Sequence, residues 1–191
     1  MFNRKNKHYW ATSNPHKIQP VKIQGRRSIN VWCGIIENKV IGPIIYNGSL
    51  TGPRYLGFLE NEIENFLEEL PLNQHVTIIW QQDGAPAHNV APVTRFLNEK
   101  YNTWIGRNGP IIWPANSPDL TVPDIFLWGY LKNTIYNNRP ENIQVLEQRI
   151  REEILVLNRD YSESITNSIN HKLLENIQKC ITSQGGYVEN Q

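Results

Sequence analysis

Two short stretches of the chain each place an aspartate beside the end of a predicted element, which limits the folds the chain can adopt. Residues 76–80 form a compact apolar run of strand length, and the motif Q-Q-D-G-A-P-A-H puts Asp83 just after it. The stretch W-P-A-N-S-P-D-L leads to Pro123, which opens a predicted helix with Asp124 in its first turn. Because ligands collect where the strands of an α/β sheet end, the two carboxylates can converge on one site.

The hydrophobic pattern predicts the order ββαβαβα, followed by an α-hairpin. Two runs rich in β-branched residues predict a β-hairpin, and Gly42-Pro43 in the second run marks an edge or a bulge. Thr51 is expected to cap the first helix with its side chain. This order is typical of a mixed α/β sheet with helices packed on it. The predicted elements are strands 29–36 and 40–46, helix 52–70, strand 76–80, helix 89–100, loop 101–109, strand 110–113, a helix from Pro123, and helices 142–158 and 161–183.

The charge of the chain is distributed unevenly, although the formal net charge is only +1. Residues 1–27 carry seven basic side chains and no acid, whereas the remainder has twelve basic and eighteen acidic residues. A basic arm on an acidic body favours contact with a polyanion such as nucleic acid, but a solvated polar terminus gives the same pattern. We divide the chain into a basic extended arm (1–28), an α/β domain (29–136) and a C-terminal helical extension (137–191).

The cysteine content and the hydropathy pattern exclude several classes of protein. Cys33 and Cys180 are too isolated to form a zinc motif or a disulfide framework, so a reducing, intracellular environment is expected. Cys33 lies among strand residues and is predicted to be a small buried hydrophobe. No apolar stretch is long enough to cross a membrane, and no secretory signal is evident, so no membrane partner is expected.

Asp83 and Asp124 are candidate metal ligands, because carboxylates are the hard oxygen donors that Mg²⁺ and Mn²⁺ prefer. Two such ions can activate a water or a 3′-hydroxyl for attack on a phosphodiester, but they need several acidic ligands. Simpler alternatives remain open: Asp83 can bond its own turn, and Asp124 can be an acid favoured by the helix dipole. Asp119 is expected to bond nearby backbone amides, and His88 either lines the same cleft or bonds locally.

The two motifs resemble those of the Tc1/mariner transposases, in particular the insect elements of mariner type. The resemblance implies an RNase H-like fold and a DDE or DDD metal site, with Asp83 as the second and Asp124 as the third catalytic acid. It also implies Mg²⁺-dependent DNA cleavage and strand transfer, transposon ends and target DNA as partners, pairing with a second copy or a full-length transposase, and a nuclear location. Further stretches resemble the family in the same order: H-Y-W-A-T-S-N-P-H (8–16), N-V-W-C-G-I-I (30–36), G-S-L-T-G-P-R-Y-L (48–56) and W-I-G-R-N-G-P-I-I-W-P-A (104–115).

The chain departs from the family pattern at its N-terminus. In the family, paired helix-turn-helix modules and a strand with the first catalytic aspartate precede the segment that matches residues 8–11. We therefore expect a fragment that binds Mg²⁺ or Mn²⁺ weakly and is inactive alone. Loss of the middle strand of the sheet would leave unpaired backbone groups and a groove, so marginal stability or completion by another polypeptide is also expected. The alternatives are a nuclease in which Glu37 replaces the missing acid, and a non-catalytic nucleic-acid-binding or oligomerisation module.

Overall fold

The computed structural model describes residues 29–37, 39–71, 78–113, 117–160 and 162–184, so the predicted basic arm lies outside the described residues. The first half of the chain contains strands β1 (Asn30–Ile36) and β2 (Lys39–Tyr46), helix α1 (Gly52–Gly57, a π-helical turn Phe58–Ile63, and Glu64–Glu68), strand β3 (Trp80–Gln81) and a 3₁₀ turn (Pro86–Asn89). The second half contains helix α2 (Ala91–Lys100), strands β4 (Trp104–Gly106) and β5 (Ile111–Ile112), a 3₁₀ turn (Pro118–Leu120), helix α3 (a π-helical turn Pro123–Leu127, then Trp128–Asn137), and helices α4 (Ile143–Asp160) and α5 (Ser162–Thr182).

The predicted hairpin of β1 and β2 is present, and it separates two hydrophobic cores because its side chains alternate between its faces. Trp32 and Ile36 pack against the first core, whereas Cys33 and Ile35 belong to the second. Cys33 is buried, as predicted, and burial raises the pKa of its thiol to about 12. The hairpin is therefore a shared wall, and the rest of the chain forms one core on each side of it.

A bulge in β2 changes which of its side chains face the first core. Trp32 pairs with Ile44, yet Gly34 pairs with Ile41, so β2 holds one residue more than β1 over this interval. The extra residue lets Ile41 and Ile44 both contact the first core, although an odd spacing would normally put them on opposite faces. Gly42 adopts a φ of 97° there, a backbone conformation that glycine tolerates best. The predicted bulge at the Gly42-Pro43 segment is confirmed.

Helix α1 supplies five of the twelve buried residues of the first core, and its π-helical turn alters the predicted apolar stripe. Tyr55 and Ile63 are 1% exposed, as predicted, and Phe66 packs against the core while partly buried; Leu67, which was not predicted to face inward, is more deeply buried than Phe66. A π-helical turn holds more residues than an α-helical turn, so the inward position after Ile63 falls one residue later. The buried members of this core are Ile41, Tyr55, Phe58, Leu59, Ile63, Leu67, Trp80, Ala87, Val93, Leu97, Tyr101 and Trp104.

The start of α1 also differs from its prediction. Thr51 has the extended backbone of a helix cap, but its side chain makes no capping hydrogen bond. Pro53 occupies the second helical position and lacks an N–H, which removes one of the two donors that a capping hydroxyl normally uses. The Thr51 carbonyl instead accepts a hydrogen bond of 2.9 Å from the Tyr55 amide.

Strand β4 is an addition to the predicted order, because residues 101–109 were predicted to be a loop. It pairs in parallel with β3, with Trp80 beside Trp104, and in parallel with β5. Trp104 is fully buried, and a Cβ atom at Gly106 would lie 2.6 Å from its ring. Among the described residues, the hairpin and the three parallel strands form two separate sheets, so the predicted mixed sheet is present in two parts.

The C-terminal helices build the second core and contact the outer edge of β2. The side-chain amide of Asn158 bonds both backbone groups of Val40, accepting from its N–H at 2.8 Å and donating to its carbonyl at 3.0 Å. Ile143 and Ile181, predicted to face inward, are exposed because they lie in the first turn of α4 and the last turn of α5. None of the helices in the described ranges is long and apolar enough to cross a membrane. The buried members of this core are Cys33, Val40, Leu127, Leu131, Ile135, Leu146, Ile150, Ile154 and Leu157.

Candidate functional site

A cleft of about 410 Å³ is lined by β1, by residues 78–83 and by the start of α3. Asp83 lies two residues after the end of β3, and Asp124 lies in the π-helical turn that begins α3, as predicted for a helix opened by Pro123. The structure thus brings the two predicted carboxylates to one cleft. No other aspartate or glutamate of the described residues lines it.

The carboxylate of Asp83 is held by the turn that follows β3. The Ala85 amide donates a hydrogen bond of 3.0 Å to Oδ1, which is the turn contact expected as one alternative from the sequence. Nδ1 of His88 lies 2.6 Å from the same oxygen, at ion-pair distance although outside the geometry of a regular hydrogen bond. The His88 imidazole is the main cause that lowers the pKa of Asp83; burial opposes it and the Ala85 amide adds to it. Both contacts use Oδ1, so they leave Oδ2 of the same carboxylate for another partner.

Asp124 has the opposite electrostatic environment. Burial raises its pKa above the usual value, the negative charge of Asp83 raises it further, and Lys132 opposes both effects. The charge of Asp83 therefore disfavours ionisation of Asp124, a repulsion that is usual between acids that share a site. A divalent cation between them would relieve this repulsion, and carboxylate oxygens are the donors that Mg²⁺ and Mn²⁺ prefer.

A buried amide beside the site was missed by the sequence analysis. Gln82 is 5% exposed, and its Oε1 accepts hydrogen bonds from the Tyr55 hydroxyl at 3.0 Å and from Trp80 Nε1 at 3.3 Å. Its Nε2 donates to the backbone carbonyl of His88 at 2.8 Å. The available signal was the pair of glutamines after an apolar strand: side chains of a strand alternate, so one of the two had to face inward.

The ring of Tyr55 packs on the ring of His88, with centroids 4.1 Å apart and planes inclined by 34°. Tyr55 is 1% exposed, and burial raises the pKa of its hydroxyl, with the negative charge of Asp83 as the next cause. Tyr55, His88 and Asp83 are thus in close electrostatic contact. His88 lines the cleft, as one of its two sequence interpretations expected.

Asp119 and Glu37, the other acids considered from the sequence, do not line the cleft. The carbonyl of Asp119 accepts a hydrogen bond of 2.7 Å from Asn176, whose side chain is 5% exposed. The Asp119 carboxylate was expected to bond nearby backbone amides; the next two amides, of Leu120 and Thr121, donate to backbone carbonyls of their own turn. Glu37 lies in the hairpin turn, so the structure gives no support to the interpretation in which it replaces a catalytic acid.

The carboxylates of the cleft fit a divalent cation in donor type but are few. Within the ranges that the structure describes, no group of three or more His, Cys, Asp and Glu side chains is arranged to hold a metal ion. Asp83 and Asp124 alone provide two anionic ligands, whereas catalysis by two metal ions uses several. The described residues therefore provide part of such a site.

The described chain has the fold of the catalytic domain of the Mos1 mariner transposase. A crystal structure of that domain matches with a TM-score of 0.68 and 22% identity, over 84% of this chain and 76% of that chain. Its complex with Raltegravir and Mn matches with the same TM-score and identity, over 84% and 78%. A pre-cleavage Mos1 transpososome matches with a TM-score of 0.72 and 20% identity, over 95% of this chain and 51% of that chain.

No protein-family model matches the chain, and no curated protein matches it. The likeness to the Mos1 structures confirms the RNase H-like fold that the sequence motifs predicted. The Mos1 structures are those of a mariner transposase, and the mariner transposases are the proteins whose motifs this sequence resembles.

Proposed function

We propose that this chain is a fragment of a Tc1/mariner-type transposase catalytic domain, and that Asp83 and Asp124 hold a divalent cation in its cleft. The observation that carries the proposal is the pair of carboxylates: they line one cleft, and the charge of Asp83 raises the pKa of Asp124. Crystal structures of the Mos1 catalytic domain with Mn and with Mg support the choice of ion.

The described residues have separate roles in this proposal. A bound Mg²⁺ or Mn²⁺ would polarise a DNA phosphodiester and lower the pKa of an attacking water or 3′-hydroxyl. Asp83 would bind through the oxygen that Ala85 and His88 leave free, since both of them contact Oδ1. Asp124 would bind from the opposite element, and the cation would then favour its ionised form.

We propose further that the chain alone binds the cation weakly and cleaves DNA only at background rate. The reason is the number of acidic ligands, because its described cleft offers two carboxylates where two-ion chemistry needs more. Mos1 forms paired-end complexes with transposon ends. By extension, DNA, a second copy or a full-length transposase are proposed as partners here, in the nucleus.

The cation site is tested by Mn²⁺ titration, followed by paramagnetic broadening of amide NMR signals. The wild-type chain should show selective broadening at the amides of residues 83–85, 87–89, 121–122 and 124–125. Asp83→Asn and Asp124→Asn should each raise the Mn²⁺ concentration needed, and the double variant should abolish the selective effect. Asp119→Asn is the matched control and should behave like the wild type. Unchanged broadening in the double variant would refute the site.

The activity is tested by incubating DNA that carries transposon ends with the purified chain and Mg²⁺. We expect cleavage no faster than in the Asp83→Asn variant. Robust cleavage that is lost in that variant would overturn the proposed inactivity while supporting the site. DNA binding without cleavage, weakening as salt rises because bound phosphates release counterions, would favour the non-catalytic alternative.

A further inference from the structure

We propose that Gln82 is a positioning residue that determines where the carboxylate of Asp83 lies, and thereby how tightly the cleft binds a divalent cation. Only the cation part of this inference rests on the proposed function. The positioning itself concerns contacts that exist in the metal-free protein, between β3, helix α1 and the turn after β3.

The side chain of Gln82 connects three separate parts of the fold. Its Oε1 receives one hydrogen bond from Tyr55 on α1 and another from Trp80 on β3, and its Nε2 donates to the carbonyl of His88 in the 3₁₀ turn. Its backbone amide also donates to the carbonyl of Ile105 on β4, at 3.0 Å. A buried amide with this many partners has little freedom, because each rotation would leave polar groups unsatisfied in a low-dielectric interior.

Two routes lead from Gln82 to the carboxylate of Asp83. The first is covalent, since Asp83 is the next residue and its backbone starts from the fixed position of Gln82. The second route passes through His88. The side-chain amide of Gln82 holds the backbone carbonyl of His88, and the Tyr55 ring packs on the His88 imidazole. Nδ1 of that imidazole lies 2.6 Å from Oδ1 of Asp83. Both ends of the segment 82–88 are thus tied to one side chain.

The neighbouring glutamine, Gln81, is exposed and therefore differs in role from the buried Gln82. Gln81 is exposed and also lines the cleft, but Gln82 is the glutamine whose amide is buried and bonded to side chains and backbone of other elements. A substitution at Gln81 therefore provides a matched control, since it changes the same residue type one position away. Gln81→Met should leave the arrangement of Asp83 and His88 unchanged.

The first experiment uses Gln82→Met, which keeps the length of the side chain and removes its three hydrogen bonds. In the metal-free protein, the imidazole proton signals of His88 should lose the displacement that the neighbouring Tyr55 ring causes. The His88 signals are those that are absent from the spectrum of the His88→Asn variant. In the Mn²⁺ titration, the concentration needed for selective broadening should rise about 10–100-fold, the usual effect of removing a residue that orients a metal ligand.

A second pair of variants separates positioning from stability. In Gln82→Met the Tyr55 hydroxyl is left without its acceptor, and adding Tyr55→Phe removes that hydroxyl. The double variant should therefore recover part of the lost melting temperature without recovering Mn²⁺ affinity. Leu157→Ala destabilises the second core, which lies on the other face of the hairpin, and should leave His88 signals and Mn²⁺ affinity at wild-type values in the folded protein.

The outcomes distinguish this inference from the proposed function. If Asp83→Asn weakens Mn²⁺ binding but Gln82→Met changes neither the His88 signals nor the affinity, Gln82 is not a positioning residue. If Gln82→Met moves the His88 signals while Asp83→Asn leaves Mn²⁺ binding intact, the positioning stands and the cation site is wrong. Equal losses of Mn²⁺ affinity in Gln82→Met and Leu157→Ala would also overturn the inference, because general destabilisation would explain them.

Discussion

The two cores on either face of the hairpin differ in what they enclose. The first core surrounds a buried polar network at Gln82 and lies beside the two carboxylates of the cleft, where the charge of Asp83 disfavours ionisation of Asp124. The buried members of the second core are apolar side chains, and the polar contact between Asn158 and Val40 lies at the edge of a strand. The comparison suggests that the second core mainly supplies stability, whereas the first also maintains an electrostatically unfavourable site.

The shared hairpin makes this division of roles testable. Because the cores have few residues in common, a cavity in the second should lower stability without changing the site. A change in the polar network of the first should alter the site at a smaller cost in stability. Substitutions in each core therefore separate the two roles.

The largest effect is expected from Ile154→Ala in the second core. Ile154 is 1% exposed, and truncating a buried isoleucine costs about 2–5 kcal/mol through lost burial and the cavity left behind. Urea denaturation should show this loss in the free energy of unfolding. Leu155→Ala is the matched control on the same helix: Leu155 is 69% exposed, so its change should stay within about 0.5 kcal/mol. Similar losses in both variants would contradict the assignment of this core.

A smaller loss is expected from Asn158→Ala. It removes both hydrogen bonds to Val40, each worth about 0.5–1.5 kcal/mol net, and leaves the strand edge open. The free energy of unfolding should fall by about 1–3 kcal/mol, and the protein should associate more readily at high concentration in light scattering. Asn158→Gln places the same amide at the wrong distance and should behave more like alanine than like asparagine.

Tyr55→Phe should have a moderate effect confined to the first core. The ring keeps its packing against His88, but Gln82 loses one of its two donors, at a cost of about 0.5–1.5 kcal/mol. Amide hydrogen exchange should accelerate around residues 82–88 more than in α4. Uniform acceleration in both regions would show that the cores are not energetically separable.

The smallest expected effect on the free energy of unfolding is a stabilisation, whereas the substitutions above are destabilising. The raised pKa of Asp124 means that its ionised form is disfavoured in the folded chain, so this penalty appears as pH rises above the ordinary aspartate value of about 4. Asp124→Asn should therefore stabilise the metal-free protein at pH 7, by only about 0.2–1 kcal/mol, because the carboxylate is partly buried and solvent still reaches and screens it.

This stabilisation should vanish below about pH 4, where the wild-type carboxyl is protonated in both states. Asp83 has a lowered pKa, so Asp83→Asn should be destabilising at pH 7 and should lose that effect as pH falls through the folded pKa. Thermal melts at pH 7 and pH 3 check both signs. Stabilisation by Asp83→Asn at pH 7 would contradict the contact with His88.

The elements that the sequence predicted well depend on local patterns. The hairpin follows from alternation and β-branched residues, and the position of Asp124 follows from a proline that starts a helix. Strand β4 was missed because three residues carry too little pattern, and its pairing with β3 is formed only in the folded chain. For Gln82 the local pattern indicates only that one of the two glutamines faces inward; its hydrogen-bond partners lie on three different elements and are not evident from that pattern.

The π-helical turn in α1 shows a further limit. The sequence predicts a continuous helix with Phe66 inward, and nothing local indicates the extra residue in the turn Phe58–Ile63. Both Phe66 and Leu67 contact the first core, and Leu67 is the more deeply buried of the two. The predicted site was less affected than the core, since Asp83 and Asp124 lie at element ends that turn residues define locally.

Asn158 has one more consequence, which concerns the chemical ageing of the protein. Deamidation would turn its side chain into a carboxylate, which can still accept from the Val40 amide but can no longer donate to the Val40 carbonyl. A carboxylate oxygen would then face the carbonyl oxygen of Val40, where the amide had made the two hydrogen bonds that a neighbouring strand would make. A single slow reaction at one residue would expose this edge of the hairpin to β-strands of other molecules, so old preparations should aggregate before they lose their fold.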